Sequence, residues 1–475
     1  MEVYDYAIIG GGPCGMTLAW ILSSQNKKVI LIEKENSLGG CHRVKRVDDY
    51  FTEHSPRVYS DAFLSFKQLL FDMGINFNNI FTEYKVGVSH IDNMTILSLS
   101  MKEKIVLIRA LFMSLFNYSY GKNISMKTFM KENNFTNNSS DYIDRVCRLT
   151  DGASSEKYTL FQFLELLNQN LFYKLYQPKH PNDRELFFLW ENKLLENNVK
   201  ILLNSQIINF TVNNNNVSQL SLYNSDLHII VKANKFILAI PPKSLYGLLK
   251  KCNDISNSFG DINMLEKWAL NNSYYDYFSL TFHYKKKIIL PKINGFPRTP
   301  WGIAFIILSN YMNLDDEPSQ TIISIGITIT DKPNENGKTV NDCSELEIIN
   351  YVKSQLHIFP EPDKVIISPN MKKYDDKWIN TDTAFIVTNK NKFLNYKGNI
   401  NNLFTVGIHN GNSNYHFTTI ESAVQNAIYY CKNEYPELKL YYNTPVYLKM
   451  RTILFDIMLL GIFFLFIIIL KKKIN

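Results

Sequence analysis

Apolar and polar positions are most clearly patterned at the start of the chain. Residues 6–9 form a short apolar run that ends at Gly10, residues 16–22 carry apolar side chains at helical spacing, and residues 29–32 form a second run that stops at Glu33. Two short apolar runs separated by a helix-patterned segment predict a βαβ unit with buried parallel strands. Helical spacing returns at 63–73 and dominates from about 86 to 197, with apolar clusters at 105–115 and 160–175. From 199 to 242 the pattern changes to strand-like runs separated by polar turns, one of them at the asparagines of 213–216, which predicts hairpin-connected strands. Residues 277–284, 302–309 and 321–330 add longer β-patterned runs suited to an antiparallel sheet. A strand at 403–406 ends at Gly407, and a helix is expected from near Thr418, where Thr418 and Glu421 have the spacing of a capping box. Residues 453–470 are apolar apart from Asp456 and run into Lys471, Lys472 and Lys473.

The glycines of the first turn give this pattern a chemical meaning. Gly10, Gly12 and Gly15 stand between the first strand and the helix, with Pro13 at the helix start, in the arrangement of a dinucleotide fingerprint. Gly10 serves the tight turn, Gly12 lets a pyrophosphate approach the backbone, and Gly15 lets the helix pack closely on the strand. The helix N-terminus offers unpaired N–H groups and the positive end of its dipole to the phosphates. Glu33, at the end of the second strand, can accept both hydroxyls of an adenosine ribose and repels a 2′-phosphate, so the expected ligand is FAD or NAD rather than NADP.

Beyond Glu33 the chain has Gly39 and Gly40, then Cys41 and Arg43. This resembles the extended fingerprint of the FAD-dependent amine oxidase superfamily, which includes monoamine oxidases, protoporphyrinogen oxidases and phytoene desaturases and, more distantly, UDP-galactopyranose mutases. The resemblance implies FAD as cofactor, with Gly39, Gly40 and Arg43 closing over the pyrophosphate from the side opposite the first loop. It extends to residues 50–60, where Arg57 takes the place of a ring-facing histidine of the mutases, and to the strand meander ending in Ala239, Ile240, Pro241 and Pro242. There the backbone of Ile207 is implied to pair with the adenine. It extends again to the strand, Gly407 and helix near Thr418, whose N-terminus is implied to face the flavin ring. Relatives carry an acid or an arginine after that glycine, whereas this chain has Ile408 and His409. No cysteine lies between Gly407 and Phe417, so the implied FAD is noncovalent. Tyr415 and His416 are, with Arg57, the candidates for groups facing the ring; no catalytic residue is otherwise assigned.

The resulting expectation is an α/β protein: a Rossmann-like FAD-binding domain (1–85, 198–255 and 390–432) with an inserted α+β substrate domain of helices and antiparallel sheet (86–197 and 256–389). A linker (433–452) and a C-terminal hydrophobic helix (453–470) follow. Trp301, Tyr284 and His283 are weighed as pocket or core, with core favoured. The net charge of +7 is scattered, which argues against nucleic acid, and the six cysteines have no paired or metal-ligand spacing. The C-terminal run is close to the roughly 20 residues that span a bilayer and predicts a single-pass tail anchor in the mitochondrial outer membrane or endoplasmic reticulum, with the FAD domain cytosolic. The implied function is an FAD-dependent oxidoreductase taking hydride from a C–N or C–C bond of a small, lipophilic substrate. The alternatives are a nucleotide-sugar mutase-like enzyme and a membrane-tethered FAD-fold protein without catalysis.

Overall fold

The computed structural model of the protein describes residues 2–55, 57–84, 99–117, 119–271, 273–274, 277–290, 298–381, 385–386, 393–415, 418–438 and 455–467. Its framework is a seven-stranded sheet. Lys200–Leu202, Val29–Ile32, Val3–Ile9, Leu227–Leu238 and Leu403–Thr405 lie side by side and parallel. Side chains of the first strand alternate between the two faces. Tyr6 and Ile8 enter a core shared with the helices Pro13–Ser23, Leu186–Glu196 and Ile420–Glu434, through residues such as Met16, Trp190 and Val424. Ala7 and Ile9 enter a second core with Phe210, Phe236 and Leu245. The chain from 186 to 196 thus packs on the nucleotide-binding unit, although its sequence pattern continues that of the helices before it.

Leu227–Leu238 has two partners in succession. From Lys232 onward it runs parallel to Val3–Ile9, while its first half is antiparallel to Asn216–Asn224, which in turn pairs with Ser205–Asn213. The hairpin between the last two turns on Asn214 and Asn215, with φ of 50° and 58°. That is the left-handed pair a two-residue hairpin needs, and asparagine tolerates it better than most residues.

The second body is a four-stranded antiparallel sheet in the order Ile303–Ile307, Thr321–Ile327, Phe278–Tyr284, Lys364–Ile367. One face of Phe278–Tyr284 puts Leu280, Phe282 and Tyr284 into a core with Trp301. The other face carries Ser279, Thr281 and His283, which are buried because they meet the chain at 51–54: Ser279 Oγ donates to the His54 carbonyl, Thr281 and Thr52 hydroxyls lie 3.2 Å apart, and His283 Nε2 lies 2.8 Å from the Phe51 carbonyl. Trp301, Tyr284 and His283 are therefore core residues. Four helices, Met101–Phe116, Met126–Glu132, Asn137–Asp151 and Leu160–Phe172, form a third body around their own core. Each starts at a hydroxyl cap, Ser100, Ser125, Thr136 and Thr159, a signal present in the sequence.

The expected tail anchor is corrected by the structure. Of the run 453–470, residues 455–467 are described, as a helix. Among the described residues no helix is long and apolar enough to cross a membrane. The remainder of the run and its lysines lie outside the described residues, as does most of the 433–452 linker. The apolar run was a count of side chains, whereas spanning also requires a continuous helix long enough to satisfy every backbone group.

Candidate active site

Two glycine turns face each other at the carboxyl ends of the parallel strands. At Gly15 a Cβ would come 1.9 Å from the Gly10 carbonyl oxygen, so the helix can sit this close to the strand only with glycine there. Gly40 has φ of +56°, and a Cβ on it would lie 2.9 Å from Gly12 Cα; the second turn closes on the first by backbone contact. Between them the N-terminus of Pro13–Ser23 opens onto a cavity of about 780 Å³, lined by Gly10, Gly12, Pro13, Glu33, Gly40 and Arg43. Gly15 lies outside this lining and acts through packing; Gly39 supports the turn from behind, against the Phe187 ring.

Glu33 is buried at the end of Val29–Ile32. Its Oε2 accepts from the Gly11 N–H at 2.7 Å and its Oε1 from the Glu35 N–H at 3.0 Å, which fixes the carboxylate and leaves acceptor capacity toward the cavity. Arg43 is also buried, with Nη2 3.5 Å from Glu33 Oε1 and Nε donating to the Ser37 carbonyl at 2.8 Å. Its guanidinium is thus directed at Glu33 as well as at the cavity, and Nη2 has no hydrogen-bond partner among the described residues. Ile207 lines the same end; its carbonyl accepts from Lys251 Nζ at 2.9 Å. A cradle of backbone N–H groups, a fixed carboxylate and a buried guanidinium with a donor to spare fit an adenine dinucleotide.

At the other end, Gly407, Ile408, His409, Thr418, Thr419, Ile420 and Ala423 bring the N-terminus of Ile420–Glu434 to the cavity wall. The cap is one residue later than the sequence suggests. Thr419, not Thr418, accepts from the Ser422 N–H, and Ser422 returns the bond to the Thr419 N–H. Glu421 turns away: its two oxygens accept from the Ser65 and Phe66 N–H groups at 2.9 and 2.8 Å, capping the helix Leu64–Asp72. Burial pushes this carboxyl up from its ordinary value despite those bonds. The Gly407 N–H is taken by Asn410 Oδ1 at 2.8 Å, so it is the helix start rather than Gly407 that offers donors there. His409 is packed beneath, 2.8 Å from Thr405 Oγ1, and burial lowers it to about 3, so it is neutral at any working pH.

Arg57 lines the cavity where these two ends meet; its Nη2 donates to the Cys41 carbonyl and its own carbonyl accepts from Gln177 Nε2. Beside it stand His42 and Tyr59, both in the lining, with His42 held well below its ordinary value by burial and then by the Arg57 charge. Tyr415 is not part of the wall: it is buried, with its hydroxyl 3.3 Å from Gln169 Oε1 and its ring edge-on to Phe63. His416 lies outside the described residues. Sequence reasoning missed His42, Tyr59, Gln169, Tyr277 and Phe305, all of which line the cavity. Their place is set by contacts between distant segments, and no local spacing marks them; the aromatic in the run 277–284 was the nearest signal.

The fold and this site define a Rossmann-like dinucleotide-binding protein whose ligand cleft continues into a second chamber. Residues 8–71 match the family model of the NAD(P)-binding Rossmann-like domain. No curated protein sequence matches the chain. Among solved structures it is similar to wild-type putrescine oxidase bound to putrescine, with 13% identity, TM-score 0.63, and coverage of 91% of this chain and 99% of that one. It is also similar to cyclohexylamine oxidase from Brevibacterium oxydans (10% identity, TM-score 0.61, 92% and 100% covered). An oxidoreductase from Methanosarcina mazei is a third (13%, 0.62, 90% and 99%). At these identities the likeness is one of fold, and the fold is the one the sequence resemblance implied.

Proposed function

We propose that the protein is an FAD-dependent oxidoreductase that removes a hydride from a C–N or C–C bond of a small substrate. The observation that carries this reading is that one cavity is lined together by the glycine turns, Glu33 and Ile207, by the start of Ile420–Glu434, and by side chains from the four-helix body and the antiparallel sheet. When bound, FAD supplies the hydride acceptor that side chains lack, and oxygen or another acceptor restores it. Every other role belongs to the chain. The cradle between Gly12 and Gly40 holds the pyrophosphate, Glu33 accepts from the ribose, Arg43 balances the charge near both, and the backbone of Ile207 borders the adenine. The start of Ile420–Glu434 faces the ring, and the positive end of its dipole favours negative charge there. Val146, Leu149, Leu166 and Phe305 exclude water from the reacting bond. The 1–85, 198–255 and 390–432 segments form the cofactor unit in this reading, and the intervening segments the substrate unit. The oxidases among the similar structures support a redox reaction over the mutase-like alternative.

The test is the absorption spectrum of the purified protein. A flavin spectrum is expected, with all flavin released by acid precipitation and bleaching on anaerobic incubation with a substrate. Protein that neither retains nor binds FAD ends the proposal.

A further inference from the structure

The helix Asn137–Asp151 carries different side chains on its different faces. Tyr142, Val146, Leu149 and Thr150 have the i, i+4, i+7 and i+8 spacing of one face, and all four line the cavity. Ile143 and Cys147, on the neighbouring face, enter the core of the four-helix body. The charged face ties the helix to the antiparallel-sheet body: Arg145 Nη1 donates to the Thr299 carbonyl at 2.6 Å, and Arg148 Nη1 lies 3.6 Å from Asp331 Oδ1. Near its C-terminal end the Tyr277 O–H is shared between the Arg148 and Leu149 carbonyls. We propose that Leu149, with Val146 three residues before it, limits the length of the aliphatic chain that a substrate can place in this cavity, which makes the substrate class a compound with a flexible aliphatic tail. The inference rests on the oxidoreductase reading for placing the substrate here, and it deepens that reading by naming the class and the side chain that sets its size.

Three physical points support it. First, the cavity face of the helix is a line: from Tyr142 to Leu149 it runs about 10 Å at 1.5 Å per residue, with neighbouring side chains about 5 to 6 Å apart. An extended chain laid along that line touches each side chain in turn, whereas a compact ring meets one or two. Second, this wall is held from both sides, by the helical core through Ile143 and Cys147 and by the sheet body through Arg145, Arg148 and Tyr277, so a tail that is too long meets a side chain whose backbone does not retreat. Third, the two apolar positions differ in what else they do. Val146 also packs against the helical core, while Leu149 is half-buried at the cavity, with its carbonyl bonded to another lining residue, Tyr277. A change of volume at Leu149 is therefore felt first in the cavity.

The experiment is calorimetric titration of the FAD-loaded protein with the 1-alkanols from butanol to decanol, which differ only in chain length. Affinity is expected to rise about fourfold per added carbon, the effect of burying one methylene, and to stop rising at the length that meets Leu149. In Leu149→Ala the stop is expected about two to three carbons later, matching the carbons removed, and in Leu149→Phe it is expected earlier. Leu149→Met, of similar volume, is expected to leave it in place. A wild-type affinity that is independent of chain length, or that rises to decanol without a stop, overturns the proposal, as does the same stop in the alanine and phenylalanine variants. If Leu149→Phe fails to fold, the comparison of wild type with Leu149→Ala decides alone. Protein that holds no FAD overturns the oxidoreductase reading instead; flavin that is held while the stop stays put in the variants overturns only the role of Leu149.

Discussion

The two ends of the cavity are walled by different means. At the nucleotide end the wall is backbone: Gly12 and Gly40 approach within contact distance, and Glu33 is fixed by two main-chain N–H groups. At the other end the wall is a set of side chains, contributed by helices and by a sheet of which three strands, Phe278–Tyr284, Ile303–Ile307 and Thr321–Ile327, are buried along their whole length. This wall tolerates little substitution at Gly10, Gly15 and Gly40, because a Cβ at each meets main chain at 2.9 Å or less. A side-chain wall can be repacked at modest cost as long as volume is kept. A side-chain wall of this kind leaves room for sequence change within one fold, in keeping with the 13% identity at which the chain shares the fold of a solved oxidase.

The sharpest way to break the contrast is Gly15→Ala. The added methyl would sit 1.9 Å from the Gly10 carbonyl oxygen, and a loss of about 3 kcal/mol or more is expected, seen as failure to accumulate folded protein. A variant that folds and melts like the parent would show that the helix can lift off the strand, and the backbone wall would not be rigid.

Next in size is Glu53→Gln, at the joint with the antiparallel sheet. Its folded value near 7 lies above the ordinary 4.5, so between those values the native state holds a proton that the unfolded chain has lost. Stability must therefore fall as pH rises from about 4.5 to about 7 and level off above. Glutamine keeps the acceptor for Ser324 and removes the titration. The variant should gain up to about 3 kcal/mol on the parent between pH 4 and pH 8. His54 and His283, lowered by burial to about 3 and about 4, act in the opposite sense, losing stability as pH falls below about 6.5, but they are common to both proteins and drop out of the difference. A pH-independent difference in melting temperature would remove Glu53 from the account.

Glu33→Ala is expected to weaken FAD binding by about 1.5 to 3 kcal/mol, the range for charged hydrogen bonds, measured by equilibrium dialysis of FAD. The smallest effect sharpens the comparison from within the nucleotide half. Gly247 lies inside the helix Pro242–Lys251, and nothing is within 4 Å of where its Cβ would stand. Alanine there should stabilise the protein by about 0.5 to 1 kcal/mol through lost freedom in the unfolded chain; a drop in melting temperature would refute it. Glycine to alanine thus changes sign between two helices that pack on the same seven-stranded sheet.

Legibility followed the same division. The first strand, Gly10, Gly12, Gly15 and Glu33 were readable because each acts through local backbone geometry that spacing records. The Asn214–Asn215 hairpin was readable for the same reason. Glu421 was misread because its spacing from Thr418 imitates a local cap while its partners lie at Ser65 and Phe66. His42, Tyr59 and Tyr277 were invisible because their position depends on which segments the tertiary fold brings together. Tyr415 is next to the right loop but faces Gln169 and Phe63. The run at 453–470 was read from composition alone as a membrane span, and among the described residues no helix is long and apolar enough to be one.

Glu421 also sets an order of events during synthesis. The N-terminus of Leu64–Asp72 depends on a carboxylate 356 positions later in the chain, on the same helix whose start borders the cavity. While a ribosome adds about 5 to 20 residues per second, the early helix waits tens of seconds with two N–H groups uncapped. The nascent βαβ unit can form its sheet in that interval, but its ligand cleft gains a final wall only when the last helix of the cofactor unit emerges and docks.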